Sequence, residues 1–319
     1  MAAPGRHSSL SDRPGVATRS TSSKLPASGD GPTDQQVMNA HGYYLGERLG
    51  SGSYSKVRLG IYKRNFNKVA VKIIDRLRAP VDYQRDFLPR ELSLVKTLKN
   101  PHIVETYDWF EANNKIYMIM ELAKRGDVLE YVRCKSKGPV PEQLSRKWTL
   151  QTAGALTYLH CNNIAHRDVK CENLLLDGNK NIKLSDFGFV RIMAPSGSEL
   201  SNTYCGSAAY ASPQIIRSEA YNPYLSDVWA LGVVIYILVT GYMPFGDDVR
   251  NISKILDSQK KGVMFPPAKP GRVVISEECK DLVRATLRVE PDMRLDMNGI
   301  LRHEWLKTVS KVSSSSSKN

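Results

Sequence analysis

The chain has 319 residues, 41% of them hydrophobic and 24% charged, with 45 Lys and Arg against 32 Asp and Glu, a formal charge of +13. Those proportions belong to a folded globular protein, and the basic excess suits anionic partners without choosing among nucleotide phosphates, nucleic acid and acidic lipid. Cys134, Cys161, Cys171, Cys205 and Cys279 are odd in number and show no C-x-x-C spacing, and the six histidines form no H-E-x-x-H pattern, which argues against a disulfide framework or a zinc site and for a reducing, cytoplasmic setting.

In chain order, residues 1–40 are rich in Ser, Pro and Gly and carry no apolar signal core. Such a segment buries too little surface to offset its ordering entropy, so it is predicted to be disordered. From Tyr43 to Leu122 the pattern is mostly strand. Gly50-Ser51-Gly52-Ser53-Tyr54-Ser55 runs into Lys56-Val57-Arg58-Leu59-Gly60-Ile61, where apolar residues alternate. Two glycines at this spacing let backbone N–H groups approach a phosphate, but a strand follows them and not a helix, so the loop is a hairpin turn and not a dinucleotide site. A glycine hairpin with no ligand fits these residues equally well.

The apolar run Val69-Ala70-Val71-Lys72-Ile73-Ile74 predicts a second strand. A Lys inside it is costly to bury unless paired, and Glu91 lies on the next amphipathic segment, about Leu88 to Leu98, whose first turn tolerates Pro89. The run Ile116 to Leu122 predicts another strand.

After residue 126 the periodicity becomes helical. Leu144 to His160 has apolar residues at helical spacing, and Val228 to Met243 is an apolar run. That run is shorter than the roughly 20 residues a bilayer span needs, so it is predicted to be a core helix and no membrane contact is expected. Ser276 to Leu287 opens like a capping box, with Cys279 where Glu would be stronger. From Lys307 the Ser-rich end is predicted to be disordered. A small sheet-rich half followed by a larger helical half predicts an α+β architecture of two lobes with a cleft between them.

The densest chemistry lies in His166-Arg167-Asp168-Val169-Lys170-Cys171-Glu172-Asn173 and, further on, Asp186-Phe187-Gly188. Asp186 and Asn173 offer the hard oxygens that magnesium prefers. Each motif alone could be a solvated loop. Together and in this order they resemble the eukaryotic protein kinases over about Tyr43 to Leu306. The runs His166 to Asp177 and Asn181 to Phe189, with Thr203-Tyr204-Cys205-Gly206-Ser207-Ala208-Ala209-Tyr210-Ala211-Ser212-Pro213, resemble the testis-specific serine/threonine kinases of the calcium/calmodulin-dependent kinase group.

The resemblance implies a bilobed fold with its lobes divided at residues 122 and 123, and transfer of the γ-phosphoryl group of ATP to Ser or Thr of proteins. Leu49, Gly50, Ser51, Gly52, Ser53, Tyr54, Ser55, Lys56 and Val57 would cover the ATP phosphates. Val57 and Ala70 would pack on adenine, Glu121 to Ala123 would form the hinge, and Asp127 would meet the ribose. Lys72, held by Glu91, would bind phosphates, while Asn173 and Asp186 would hold magnesium ions. Asp168 would accept the substrate proton and Lys170 would stabilise the transferred group.

Thr203 would be the activating phosphosite, reached by another kinase or by autophosphorylation, with Arg167 and Arg191 sensing its phosphate and repelling each other without it. Asp127 and Glu172 would favour basic residues upstream of the target, and a role in male germ-cell differentiation would follow from the family alone. Two positions depart from the family pattern: Ser55 replaces the third glycine, and Gln214 replaces a Glu that pairs with an Arg, here Arg294. The rival reading is a pseudokinase scaffold, but Lys72, Glu91, Asp168, Asn173 and Asp186 are all present. A nucleic-acid-binding role rests on net charge alone, and no such partner is expected.

Overall fold

In the computed structural model, residues 31–194, 199–203, 205–246, 248, 250–267 and 274–307 are described. The first lobe is a five-stranded antiparallel sheet ordered β1-β2-β3-β5-β4, with β1 Tyr43–Ser51, β2 Ser55–Tyr62, β3 Lys68–Asp75, β4 Thr106–Ala112 and β5 Lys115–Met120. The glycine loop is the hairpin between β1 and β2, with Gly50 opposite Val57 and Ser51 opposite Lys56. The register fixes the two faces of the sheet. Val57, Lys72 and Met118 stand in one row across β2, β3 and β5, and Lys56, Ile73 and Tyr117 stand in the next. Adjacent rows point to opposite faces.

The sheet's outer face carries Val69, Val71, Ile73, Tyr117 and Ile119, packed against a helix that the sequence reading placed in a disordered tail. Helix α1, Asp34–Ala40, begins at Thr33, whose side chain accepts from the Gln36 N–H while the Gln36 side chain accepts from the Thr33 N–H. This reciprocal cap and the burial of Val37 and Met38 on the sheet provide what composition alone did not suggest. Residues 1–30, the rest of that predicted tail, and the predicted tail beyond Lys307 lie outside the described residues.

Between the lobes runs α2, Leu88–Val95, with Pro89 in its first turn and Leu88, Glu91 and Val95 buried. It is shorter than the predicted segment and is preceded by one wide turn, Tyr83–Phe87. The second lobe begins with the short α3, Val128–Glu130, and the long α4, Glu142–Cys161. Two small antiparallel pairs follow: β6 Ile164–Ala165 with β9 Arg191–Ile192, and, in the chain between them, the hairpin of β7 Leu174–Leu176 with β8 Ile182–Leu184. Next come α5 Pro213–Ile216, α6 Pro223–Thr240, α7 Ile252–Lys261, α8 Glu277–Thr286, α9 Met297–Arg302 and α10 Glu304–Lys307.

Helix α6 is the predicted apolar run, starting five residues earlier than the run itself. Asn222 caps it and Pro223 fills its first turn. It is long and apolar enough to cross a membrane by length and composition, yet it lies in the core with Trp229, Leu231 and Val233 fully buried. The cap of α8 resolves the weak capping box. Ser276 accepts from the Cys279 N–H, and the Ser276 N–H that a Glu at that position would have accepted goes to Glu142 of α4 at 3.0 Å.

Candidate active site

Lys72 on β3 sits on the sheet face opposite α1 and reaches across to the second lobe. Its Nζ lies 2.8 Å from Glu91 Oε1 on α2 and 2.9 Å from Asp186 Oδ1, on the loop after β8. The other Glu91 oxygen accepts from the Tyr83 hydroxyl at 2.9 Å, so this carboxylate, 1% exposed, has both oxygens engaged. Burial opposes the Lys72 charge, but the Asp186 and Glu91 carboxylates outweigh it and push its pKa up. The same ammonium lowers the Asp186 pKa to about 2. Asp186 is held at φ 62°, a left-handed backbone uncommon for a residue with a side chain, which marks an over-determined local structure.

The loop between β6 and β7 gathers the second cluster. Asp168 is 4% exposed; its Oδ2 accepts from Lys170 Nζ at 2.7 Å and from Asn173 Nδ2 at 2.9 Å, and its Oδ1 from the Ser207 hydroxyl at 3.2 Å. Lys170 also donates to Ser207 at 3.0 Å. Asn173 spends its amide nitrogen on Asp168, which leaves the amide oxygen as the atom available to a cation. No group of three or more His, Cys, Asp or Glu suited to a metal exists among the described residues. An oxygen pair, Asn173 and Asp186, fits a cation completed by phosphate and water, the way magnesium is commonly held.

The loop is anchored by a residue the sequence reading passed over. Asp227 of α6, 1% exposed, accepts from the backbone N–H groups of His166 at 2.9 Å and Arg167 at 2.8 Å, and meets His160 Nε2 at 2.9 Å. Burial alone would raise its pKa, but these hydrogen bonds and the nearby histidines hold it below the ordinary range. A lone acid in an otherwise apolar helix was the available signal, since such a charge is buried only when satisfied. Gly206, at φ 88°, packs against the same loop. A Cβ there would meet the Arg167 carbonyl oxygen at 2.6 Å, so only glycine permits this approach.

The remaining predicted residues fall around these clusters. Val57 lies opposite Lys72 and Ala70 opposite Met120, both on the Lys72 face of the sheet. Gly52 closes the loop turn, its N–H donating to the Ser55 carbonyl at 2.8 Å; Leu49 is exposed, and Ser51, Ser53, Tyr54 and Lys56 line the same hairpin. Glu121 follows β5, and its side chain is tied to Lys183 of β8 at 2.8 Å, a further contact absent from the sequence reading. Ala123 lies two residues on. Asp127 caps α3 through the Glu130 N–H, while Glu172 is exposed and accepts from the Tyr210 hydroxyl at 3.1 Å.

Thr203 is exposed in a cleft of about 610 Å³ that Arg85, Arg90, Arg167 and Arg191 also line. Arg167 and Arg191 converge on the buried Ser201 hydroxyl, at 3.4 and 3.0 Å, and Arg191 also pairs with Glu199. The two cations thus lie close together around one neutral hydroxyl, with the Glu199 carboxylate offsetting the charge of Arg191.

The site therefore pairs a cation bridging two lobes with a buried carboxylate beside a lysine and an asparagine, an arrangement able to fix a polyphosphate and orient a hydroxyl. The protein kinase domain family model matches residues 43–306. Testis-specific serine/threonine-protein kinase 2 of Mus musculus is 43% identical over 279 residues, 86% of this chain and 76% of its own length. Testis-specific serine/threonine-protein kinase 3 of Mus musculus is 43% identical over 275 residues, 85% and 98% respectively. Testis-specific serine/threonine-protein kinase 4 of Homo sapiens is 40% identical over 285 residues, 85% and 84%. With this extent of similarity, the chain belongs to the eukaryotic protein kinases, as a serine/threonine kinase closely related to the testis-specific serine/threonine kinases.

Proposed function

We propose that Lys72 binds the α- and β-phosphates of ATP and that Asp168 takes the proton of a substrate Ser or Thr hydroxyl. The observation that carries this reading is the Lys72–Glu91–Asp186 chain, which joins the sheet, helix α2 and the loop after β8 around one ammonium. Phosphate oxygens entering the cleft would share that ammonium. Lys170, already 2.7 Å from Asp168, would neutralise charge on the transferred group, and Asp168 would hold the hydroxyl in line. Asn173 and Asp186 would hold magnesium, which when bound would neutralise charge on the phosphates. Positioning and electrostatic stabilisation provide most of the acceleration, so the chain needs no covalent intermediate. Leu49 to Val57 cover the phosphates, Val57 and Ala70 the adenine, and the backbone from Glu121 to Ala123 its polar edge, with Asp127 at the ribose.

Phosphorylation of Thr203 activates the enzyme in this reading. Arg167 and Arg191 exchange the Ser201 hydroxyl and Glu199 for a dianion two residues along, a stronger acceptor for guanidinium groups. The acids Asp127 and Glu172 favour basic residues upstream of the target, and a role in male germ cells is carried over from the names of the relatives. Transfer of radiolabelled phosphate from ATP to a basic protein tests the reaction, and loss of it in Asp168→Asn is the expected result. An equally active Asp168→Asn would remove the base from this scheme. For activation, mass spectrometry of active enzyme should find phosphate at Thr203, and Thr203→Ala should lose most activity. A fully active Thr203→Ala refutes that part.

A further inference from the structure

The first turn of helix α1 carries a charge cluster set against the root of the glycine loop. Asp34 Oδ2 lies 2.5 Å from Lys56 Nζ on β2, while Oδ1 lies 2.9 Å from Lys115 Nζ and 2.8 Å from the Tyr117 hydroxyl, both on β5. One carboxylate thus ties β2 to β5 across the intervening β3. Its side chain is 11% exposed, against 40% for Lys56, so water competes weakly for it. Burial works against its charge, but the three hydrogen bonds hold its pKa down at about 2, so it is ionised throughout the neutral range. Val37 and Met38 fix the helix behind it, and His41 stacks on Phe110 at 3.6 Å, with Phe110 stacked on Tyr117 at 5.2 Å.

Lys56 occupies the position where this brace can matter to chemistry. It pairs with Ser51, the last register pair before the loop closes, and its neighbour Val57 points to the opposite face beside Lys72. A shift of β2 at Lys56 would move the loop and Val57 together. We infer that Asp34 is a positioning residue for ATP, holding the glycine loop from outside the sheet through Lys56. This rests on the kinase reading of the cleft. Asp34 touches neither nucleotide nor substrate; it limits how far the loop can lift, so its loss weakens nucleotide binding more than the transfer step.

The full chain tests this with ATP affinity measured by calorimetry with magnesium, beside steady-state turnover. Asp34→Asn should weaken ATP binding and raise KM for ATP roughly three- to tenfold, with kcat within about twofold, the pattern of lost uniform binding. Lys56→Met should weaken ATP binding at least as much, and adding Asp34→Asn to Lys56→Met should cost no further affinity, as expected of one shared interaction. Asp34→Glu keeps the charge and should restore most of the affinity. Lys115→Met removes a tie on β5 and none on the loop, so it should lower the melting temperature with ATP affinity unchanged. Unchanged ATP affinity in Asp34→Asn overturns the inference, as does an equal loss in Lys115→Met, which would mean general loosening of the lobe. A wild-type chain that binds ATP without turnover, and still loses affinity on Asp34→Asn, would sink the catalytic reading and leave the inference standing.

Discussion

Lys72 and Arg294 are cations withdrawn from water, one in each lobe, and the fold neutralises them by opposite means. Lys72 has two carboxylates within 2.9 Å. Arg294, 6% exposed, has only neutral oxygens: Arg288 O at 3.0 Å, Leu225 O at 2.9 Å, Gln214 Oε1 at 3.1 Å and Val289 O at 3.3 Å. Its guanidinium also lies over the Trp229 ring, 5.0 Å from the centroid. Burial lowers its pKa to about 10, with the charge of Glu290 opposing, whereas the pKa of Lys72 is pushed up. The difference teaches what each charge is for. In the proposed scheme, a cation that must meet a mobile polyphosphate keeps counter-charges a ligand can share. A cation that only pins loops together is satisfied by carbonyls fixed in place.

The largest break in this comparison is Lys72→Met. Removing one preorganised electrostatic group costs on the order of 10²–10³ in rate, and phosphate transfer should fall at least that far. The substitution is not neutral for the fold, because Glu91 is left buried with only the Tyr83 hydroxyl. An abandoned partner of a buried pair costs about 3–5 kcal/mol. Lys72→Met combined with Glu91→Gln should recover much of that stability and none of the activity. Denaturant unfolding and the phosphate assay on the same preparations check both parts; near-normal turnover in Lys72→Met would remove Lys72 from the chemistry.

Next in size is Arg294→Ala. It takes the guanidinium away from the Gln214 amide oxygen and from three carbonyls, of which that of Val289 keeps the Gln214 amide as donor, and removes the ring contact with Trp229. A loss of about 3–5 kcal/mol is expected, drawn from lost hydrogen bonds to a charged donor. Turnover per folded molecule should hardly change, in contrast to Lys72→Met. Comparing unfolding midpoints with turnover normalised to folded protein separates the two cations. A catalytic defect in Arg294→Ala larger than its folded fraction explains would break the distinction.

These two sites also show how far sequence reaches. Lys72, Glu91, Asp168, Asn173 and Asp186 were legible because their motifs, in that order, resemble those of the protein kinases, and the structure brings them into two clusters. The glycine hairpin, the strand runs and the core helix were legible from periodicity. Helix α1 was not, because Asp34–Ala40 holds just Val37 and Met38 as large apolar residues and its stability comes from the sheet beneath. Nor was Asp227, whose partners are backbone groups some sixty residues earlier. The satisfaction of Arg294 by carbonyls was equally hidden, since composition records side chains and not where main-chain oxygens point.

The smallest effect is the sharpest test: Gln214→Glu should make the Arg294 site resemble that of Lys72. In place of the single carboxylate of the family pattern, the structure gives Arg294 four neutral oxygen acceptors, which leaves less to gain. Gln214 also uses its other end, donating from Nε2 to Val289 O at 2.8 Å. A carboxylate would strengthen the contact with Arg294, lose that donor and face the Val289 carbonyl with a second oxygen. A charge-assisted hydrogen bond exceeds a neutral one by about 1–2 kcal/mol, and the lost donor costs about 1, so a net gain of at most about 1 kcal/mol is expected. The gain should carry an acid signature. A carboxylate stabilised by Arg294 has its folded-state pKa depressed, so its contribution is present above the ordinary Glu range and disappears as pH falls through the lowered value. Asp186 already behaves this way beside Lys72, with a contribution present above 3.8 and lost toward about 2. Melting temperatures of wild type and Gln214→Glu should therefore differ at neutral pH and converge in acid, and Arg294→Ala should abolish the difference. A lower melting temperature for Gln214→Glu at neutral pH would mean that the Val289 carbonyl outweighs the charge, and that this site is built for a neutral partner.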